Sequence, residues 1–265
     1  VNQNTALRPN RIPALGLTAF DSLRAEYEQP WLEQCFVPPP EFDLIAGSRS
    51  VVVFGGPGSG KTALYQALRR CLIPEATRPS RLCCEWHPQA EATLERQLDQ
   101  VLATTAGVLQ SHLSHWPSVW DEAPDHAQRT MAWFIRKYRA LSNTAQGSNT
   151  QAPWPSMISL EVQEDYLEQA ATGQIIAELT KALAQIGLQG VCVLVDPDSL
   201  GDPEAVSKSL VYFLSTLRLF ENPRFIYKLV LPTALESILS NTGGVMRRRL
   251  DRYRLRWLER NLVSV

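Results

Sequence analysis

Apolar residues along this chain follow two rhythms. Short unbroken runs, "VVVF" at 51–54, "VCVLVD" at 191–196 and "RFIYKLVL" at 224–231, sit between turn residues. That is the pattern of strands buried on both faces of a parallel sheet. "SRLCCEW" at 80–86 and "YRLRWL" at 253–258 are read as two further strands. Between them the spacing changes to three and four. Leu94, Leu98, Val101, Leu102 and Leu109 make one stripe, and Met131, Phe134, Ile135, Tyr138 and Leu141 make a second. A third runs from Tyr166 and Leu167 through Ile175, Ile176, Leu179 and Leu183 to Ile186, with Gly187 and Gly190 marking its end. Lys61–Leu72 and "TALESILS" are predicted helices, and a further one follows Asp202 as N-cap with Pro203 at its first position.

Strands alternating with helices predict an α/β fold with a five-stranded parallel sheet covered on both faces. Residues 1–47 form an arm leading into the core, because "LRAEYEQPWLEQCF" is helical with an interrupting proline and "VPPPEFD" must be extended or turned. Residues 48–265 form the core. The helical block at about 88–189 is an insertion between the second and third strands. Its aromatics Trp116, Trp120, Trp133 and Phe134 are expected to make a small core of its own, or else a partner surface. "SNTAQGSNTQAP" at 142–153 is polar and turn-rich.

Composition narrows the function classes. The 265 residues carry a formal net charge of -1 and 45% hydrophobic residues, which gives no global pull towards nucleic acid or an anionic bilayer. No apolar run approaches the ~18 residues of a membrane span, so no membrane partner is expected. Five scattered cysteines are not a disulfide framework, and a reducing cytoplasm fits them best. The opening "VNQNTALRPN" lacks a signal-peptide layout and an initiating Met, as a processed chain or a fragment of a longer one would.

The first strand runs straight into chemistry. Gly55, Gly56, Pro57, Gly58, Ser59, Gly60, Lys61 and Thr62 match G-x-x-x-x-G-K-[ST] in full, with Ala63 continuing into the helix. Glycines at that spacing let successive backbone N–H groups curl inward around phosphate oxygens. The helix adds its positive dipole end, Lys61 reaches the β- and γ-phosphates, and Thr62 offers a hydroxyl to Mg2+. The alternative is a glycine-rich strand-to-helix turn that binds nothing. A carboxylate at the end of a neighbouring strand must complete the metal shell, and Asp196, after "VCVLV", is the candidate. It could otherwise cap a turn. Hydrolysis needs a further carboxylate to activate water. Pro197 occupies the position directly after Asp196 and cannot do this, which leaves Asp198 as the substitute because Asp202 is committed as an N-cap.

With these residues in place, the chain resembles the STAND-type signalling ATPases, relatives of AAA+ and origin-recognition-type ATPases, and especially P-loop ATPases of bacterial defence and signalling gene clusters. The resemblance rests on "FVPPPEFDLIAGSRSVVVFGGPGSGKTAL" (36–64), "VCVLVDPD" (191–198), "YKLVLPTAL" (227–235) and "RLDRYRLRWLERNL" (249–262). It implies a P-loop NTPase three-layer sandwich with strand order 5-1-4-3-2 and ATP or ADP at the strand C-terminal ends. It also implies a polar sensor near the end of the fourth strand, where Thr233 stands, although a helix N-cap explains that residue equally well. Family members contact adenine through the segment before the first strand, here about 36–44. They also carry a C-terminal lid, which is expected to be absent from a chain stopping at Val265.

Two other clusters carry chemistry-bearing residues. Seven arginines between Arg247 and Arg260 suit a nucleic-acid stripe or an arginine finger, but also a half-exposed strand with Arg252, Arg254 and Arg256 on one face. The second reading is favoured. Cys83, Cys84, His87, His112 and His115 lack the separations of a compact zinc finger. The expected function is a Mg2+-dependent ATPase serving as a nucleotide-controlled switch or assembly module, slow because of Pro197. Protein partners or self-association would use the insertion or the C-terminal edge. A non-hydrolysing nucleotide-binding scaffold is the alternative, and a small-molecule kinase ranks last.

Overall fold

The computed structural model describes residues 37–72, 79–88, 93–146, 167, 170–195, 210, 213–214, 222–241 and 250–255. The compact unit that holds them begins at Pro38. Five strands form its sheet: β1 Val51–Gly55, β2 Leu82–Trp86, β3 Val191–Val195, β4 Phe225–Pro232 and β5 Asp251–Arg254. Every pairing is parallel. The strands lie in the order β2-β3-β4-β1-β5, which counted from the β5 edge is 5-1-4-3-2. The described helices are α1 Phe42–Ala46, α2 Lys61–Leu72, α3 Leu94–His115, α4 Pro117–Asp121, α5 Asp125–Gln146, α6 Thr172–Gln185 and α7 Ala234–Asn241.

Alternation along the strands sorts the side chains into two layers. Val52, Phe54, Cys84, Trp86, Val193, Tyr227 and Leu229 face the layer that contains α3, α5 and α6, and they share one continuous apolar cluster with it. Trp86 sits against Phe213 with ring centroids 4.3 Å apart, and Phe213 meets Tyr227 edge-on at 5.6 Å. The residues between them (Val51, Val53, Cys192, Leu194, Val230) are buried on the other face, the side of the sheet taken by α1 and α2. Trp120, Trp133 and Phe134 belong to the same cluster as the sheet. The insertion's aromatics therefore make no separate core, because α3 packs directly on β2 and α5 on α3. Of the helical stripes predicted from sequence, Val101, Leu102, Leu109, Met131, Phe134, Ile135, Tyr138, Leu167, Ile175, Ile176, Leu179, Leu183 and Ile186 are buried in this layer, and Leu94 and Leu98 are partly buried against it.

Two element ends differ from expectation for physical reasons. Helix α5 continues to Gln146, into the stretch read as turn-rich from 142, because extending a formed helix through Ser, Asn and Thr costs only tenths of a kcal/mol per residue. Strand β5 begins at Asp251 rather than 253. Its ladder is set by β1, where Val51 pairs with Asp251 and Phe54 with Arg254. Leu255 N–H adds a further bond to Phe54 O at 2.8 Å. Residues 256–258 lie outside the described residues, as do 1–36, 147–166 and the helix expected after Asp202. Helix α6 ends in a Schellman motif: Leu188 N–H donates to Leu183 O at 2.9 Å and Gly187 N–H to Ala184 O at 3.1 Å, with Gly187 at φ 80.

Candidate functional site

Because the sheet is parallel, the C-terminal ends of all five strands lie at one edge. There β1 and β4 are neighbours, and Gly55 pairs with Pro232. The chain leaves them in opposite directions. From β1 it passes into α2, on the α1/α2 face. From β4 it passes into α7, whose Leu235 and Leu239 join the cluster on the other face. Connections diverging from adjacent parallel strands open a crevice between them, the usual place for a ligand in open α/β sheets.

The glycine loop fills the rim of that crevice. Gly58 and Gly60 adopt φ 69 and φ 83, the left-handed region that side-chain-bearing residues avoid. Gly55 is needed for a different reason. A Cβ there would lie 2.3 Å from Ser59 Oγ and 2.8 Å from Lys61 Cγ. The loop closes tightly on its own base, with Ser59 N–H donating to Gly56 O at 3.2 Å. Lys61, the first residue of α2, folds back so that Nζ donates to Gly56 O at 2.8 Å. Helix α2 is anchored behind it by buried Leu64, Tyr65 and Leu68. Pro57 and Gly58 are exposed, so the mouth of the loop faces solvent.

Thr233 completes the arrangement from β4. Its N–H donates to Gly55 O at 3.1 Å, and its Oγ1 lies 3.8 Å from where a Gly56 Cβ would sit. It also precedes α7 and accepts Glu236 N–H through its carbonyl at 3.0 Å. Thr233 therefore stands at the start of α7 and against the loop. Asp196 and Asp198 lie outside the described residues. Val195, the residue before Asp196, ends β3 at the same edge of the sheet as Gly55. β4 separates β3 from β1.

The other candidates do not join the loop in a site. Cys83 and Cys192 are cross-strand neighbours in register. Hydrogen bonding to the Cys192 thiol, together with burial, pushes the Cys83 thiol up. Cys84 points to the opposite face, where burial raises its thiol to about 12. Among the described residues no group of three or more His, Cys, Asp or Glu is placed to hold a metal ion. Arg254 is held by Glu236 on α7, with Nη2 2.8 Å from Oε1, and Arg252 and Arg254 occupy the exposed face of β5. That is the half-exposed strand reading. The other five arginines of the stretch lie outside the described residues. A cavity of about 680 Å³ beside α6 and Arg224 opens at the N-terminal end of the strands and is remote from the loop.

Sequence reading missed one residue that shapes the approach to the loop. Lys228, in the middle of β4, is fully buried. Its Nζ donates to the carbonyls of Ile45, Gly47 and Arg49 at 2.5, 2.6 and 2.7 Å. Tyr227 N–H donates to Ser50 Oγ at 3.1 Å. Together these bonds tie the turn before β1 to the centre of the sheet. Burial lowers the Lys228 ammonium to about 8, so at neutral pH it still carries the three protons its acceptors require. A lone lysine inside "FIYKLVL" was the available signal.

The two glycine requirements separate experimentally. Gly55→Ala must push Ser59 and Lys61 aside, with an expected cost of about 1–3 kcal/mol. Gly58→Ala meets nothing within 4 Å and pays only for its backbone angle, about 1–2 kcal/mol. Urea unfolding of both variants checks the order, and a larger loss for Gly58→Ala would contradict this packing of the loop. Compared with known proteins, the chain matches no family model, no curated protein and no solved structure.

Proposed function

We propose that the chain binds a nucleoside triphosphate, ATP in the first instance, through the loop Gly55–Thr62, and that it is a P-loop NTPase acting as a nucleotide-controlled switch. The observation that carries this reading is the placing of a G-x-x-x-x-G-K-T loop at the crevice between β1 and β4, with Gly58 and Gly60 in left-handed conformations. The cradle suits phosphate: where Gly55 passes Ser59 there is no room for a Cβ, and Lys61 Nζ already spans the loop to a carbonyl. A phosphate oxygen would draw that ammonium from Gly56 O, since a charged acceptor makes the stronger bond. The resemblance to STAND-type ATPases points the same way.

The metal set is Thr62 with Asp196. These two residues would hold a Mg2+, which would supply charge neutralisation at the β- and γ-phosphates. In this chain Lys61 orients the terminal phosphate and the α2 N-terminus receives it. Thr233, hydrogen-bonded through its N–H to Gly55, can sense whether that phosphate is present and pass the difference into α7. Binding that favours one position of α7 over another would bias a conformational equilibrium.

Pro197 favours a second reading, a module that holds nucleotide without hydrolysing it. Incubation with γ-labelled ATP and Mg2+ separates the outcomes. Free labelled phosphate is expected at a slow rate, falling further in Asp198→Ala. Intact ATP would select the scaffold reading. Equal rates in parent and variant would remove Asp198 from the chemistry. Label on another molecule would mean a kinase.

A further inference from the structure

Among the described residues the β2 edge of the sheet is open, and it is open inside a groove. β2 is a terminal strand with only β3 beside it. Leu82 N–H donates to Gly190 O at 2.9 Å, and Ser80 O accepts Gln189 N–H at 2.7 Å. The even-numbered residues of β2 therefore spend their backbone groups on β3. By the alternation of a parallel ladder, the N–H and C=O groups of Cys83 and Glu85 point away from the sheet. A groove of about 630 Å³ runs along this side. The end of α2 bounds it at Arg69 and Leu72, and α3 bounds it at Val108 and His112. A bare strand edge is ordinarily an aggregation hazard, but here α2 and α3 wall it on both sides.

The charge in the groove is unbalanced by one arginine. Arg69 and Arg81 line it against a single acid, Glu85, and Glu85 already pairs with Arg69. Arg81 has no acidic partner among the described residues, and its Nη1 is buried without a hydrogen bond there. From the open backbone edge, the walls and this imbalance, we infer that the β2 groove binds an extended acidic peptide segment of a partner protein as a sixth strand. Main-chain bonds to Cys83 and Glu85 supply affinity, and a carboxylate reaching Arg81 supplies selectivity. This inference is independent of nucleotide binding.

The probe is a fluorescein-labelled decapeptide of alternating Val and Glu, titrated into the full chain and followed by anisotropy. Two control peptides accompany it, one with Lys replacing Glu and one with the central amides N-methylated. Saturable binding of the acidic peptide is expected, with a loss of about tenfold or more for either control and a similar loss in Arg81→Glu. Hydrogen exchange at the Cys83 and Glu85 amides should slow when the peptide is bound. If Arg81→Glu melts early, His115→Glu, on the exposed side of α3, takes its place. No binding, equal binding of the lysine or N-methylated peptide, or pairing of the chain with its own copy through β2 would each overturn the proposal.

Discussion

Replacing Lys61 with alanine is expected to abolish the rise in melting temperature that MgATP gives the parent protein. A ligand at a hundredfold excess over its Kd stabilises the folded state by about 2.7 kcal/mol. For a domain of this size that corresponds to about 5–10 °C. The ammonium of Lys61 sits at the start of α2 and reaches across the loop to Gly56 O. Its loss leaves the backbone cradle in place but removes the one side-chain cation of the loop. In the absence of nucleotide the variant should melt close to the parent, because only one half-exposed hydrogen bond is lost, worth about 1 kcal/mol. A full ATP-induced shift in Lys61→Ala, measured by differential scanning fluorimetry, would remove the loop from nucleotide binding.

The second large effect is on folding. Lys228→Met should destabilise the protein by about 2–4 kcal/mol at pH 7, since it leaves three carbonyls of the 45–49 turn without their donor. Part of the loss is recovered because a buried cation no longer has to be stripped of water, and because Arg49 lies at the surface and its carbonyl can rehydrate. The penalty should depend on pH with a definite sign. Burial brings the folded-state pKa of Lys228 from the ordinary 10.5 to about 8. Between those values the unfolded chain keeps a proton that the folded chain has shed, so the lysine-bearing protein gains stability as pH rises across that window. Below about pH 8 the contribution is constant. The methionine variant has no such titration, so its deficit should be larger at pH 10 than at pH 7. Urea denaturation at the two values measures this. A smaller deficit at pH 10 would mean that the carbonyl cage outweighs burial and holds the lysine pKa above its ordinary value.

The sheet was legible in the sequence because its signals are local. "VVVF" and "VCVLV" are continuous apolar runs, and each became a strand with all five residues buried. The glycine loop was legible for the same reason, because its backbone angles are dictated by Gly58 and Gly60 themselves. What escaped depends on contacts distant in sequence. Lys228 is an unusual residue in an apolar strand, but its role is fixed by carbonyls more than 175 positions earlier. The aromatics Trp120 and Trp133 have helical spacing, which says that they are buried and not that they join the sheet's own cluster. The start of β5 at Asp251 rather than Tyr253 was not legible because it is set by pairing with Val51 at the beginning of β1. Asp196 and Asp198 remain candidates on sequence grounds alone.

The nucleotide proposal rests on the main chain more than on any side chain, and the most direct test reads the main chain. In a ¹⁵N–¹H spectrum of the protein, the amides of Gly58, Gly60, Lys61 and Thr62 should shift in a saturable way as MgATP is added, while residues beside Arg224 at the opposite end of the sheet stay still. Loop amides that do not move at saturating MgATP, or shifts that converge on the Arg224 end, would contradict this account.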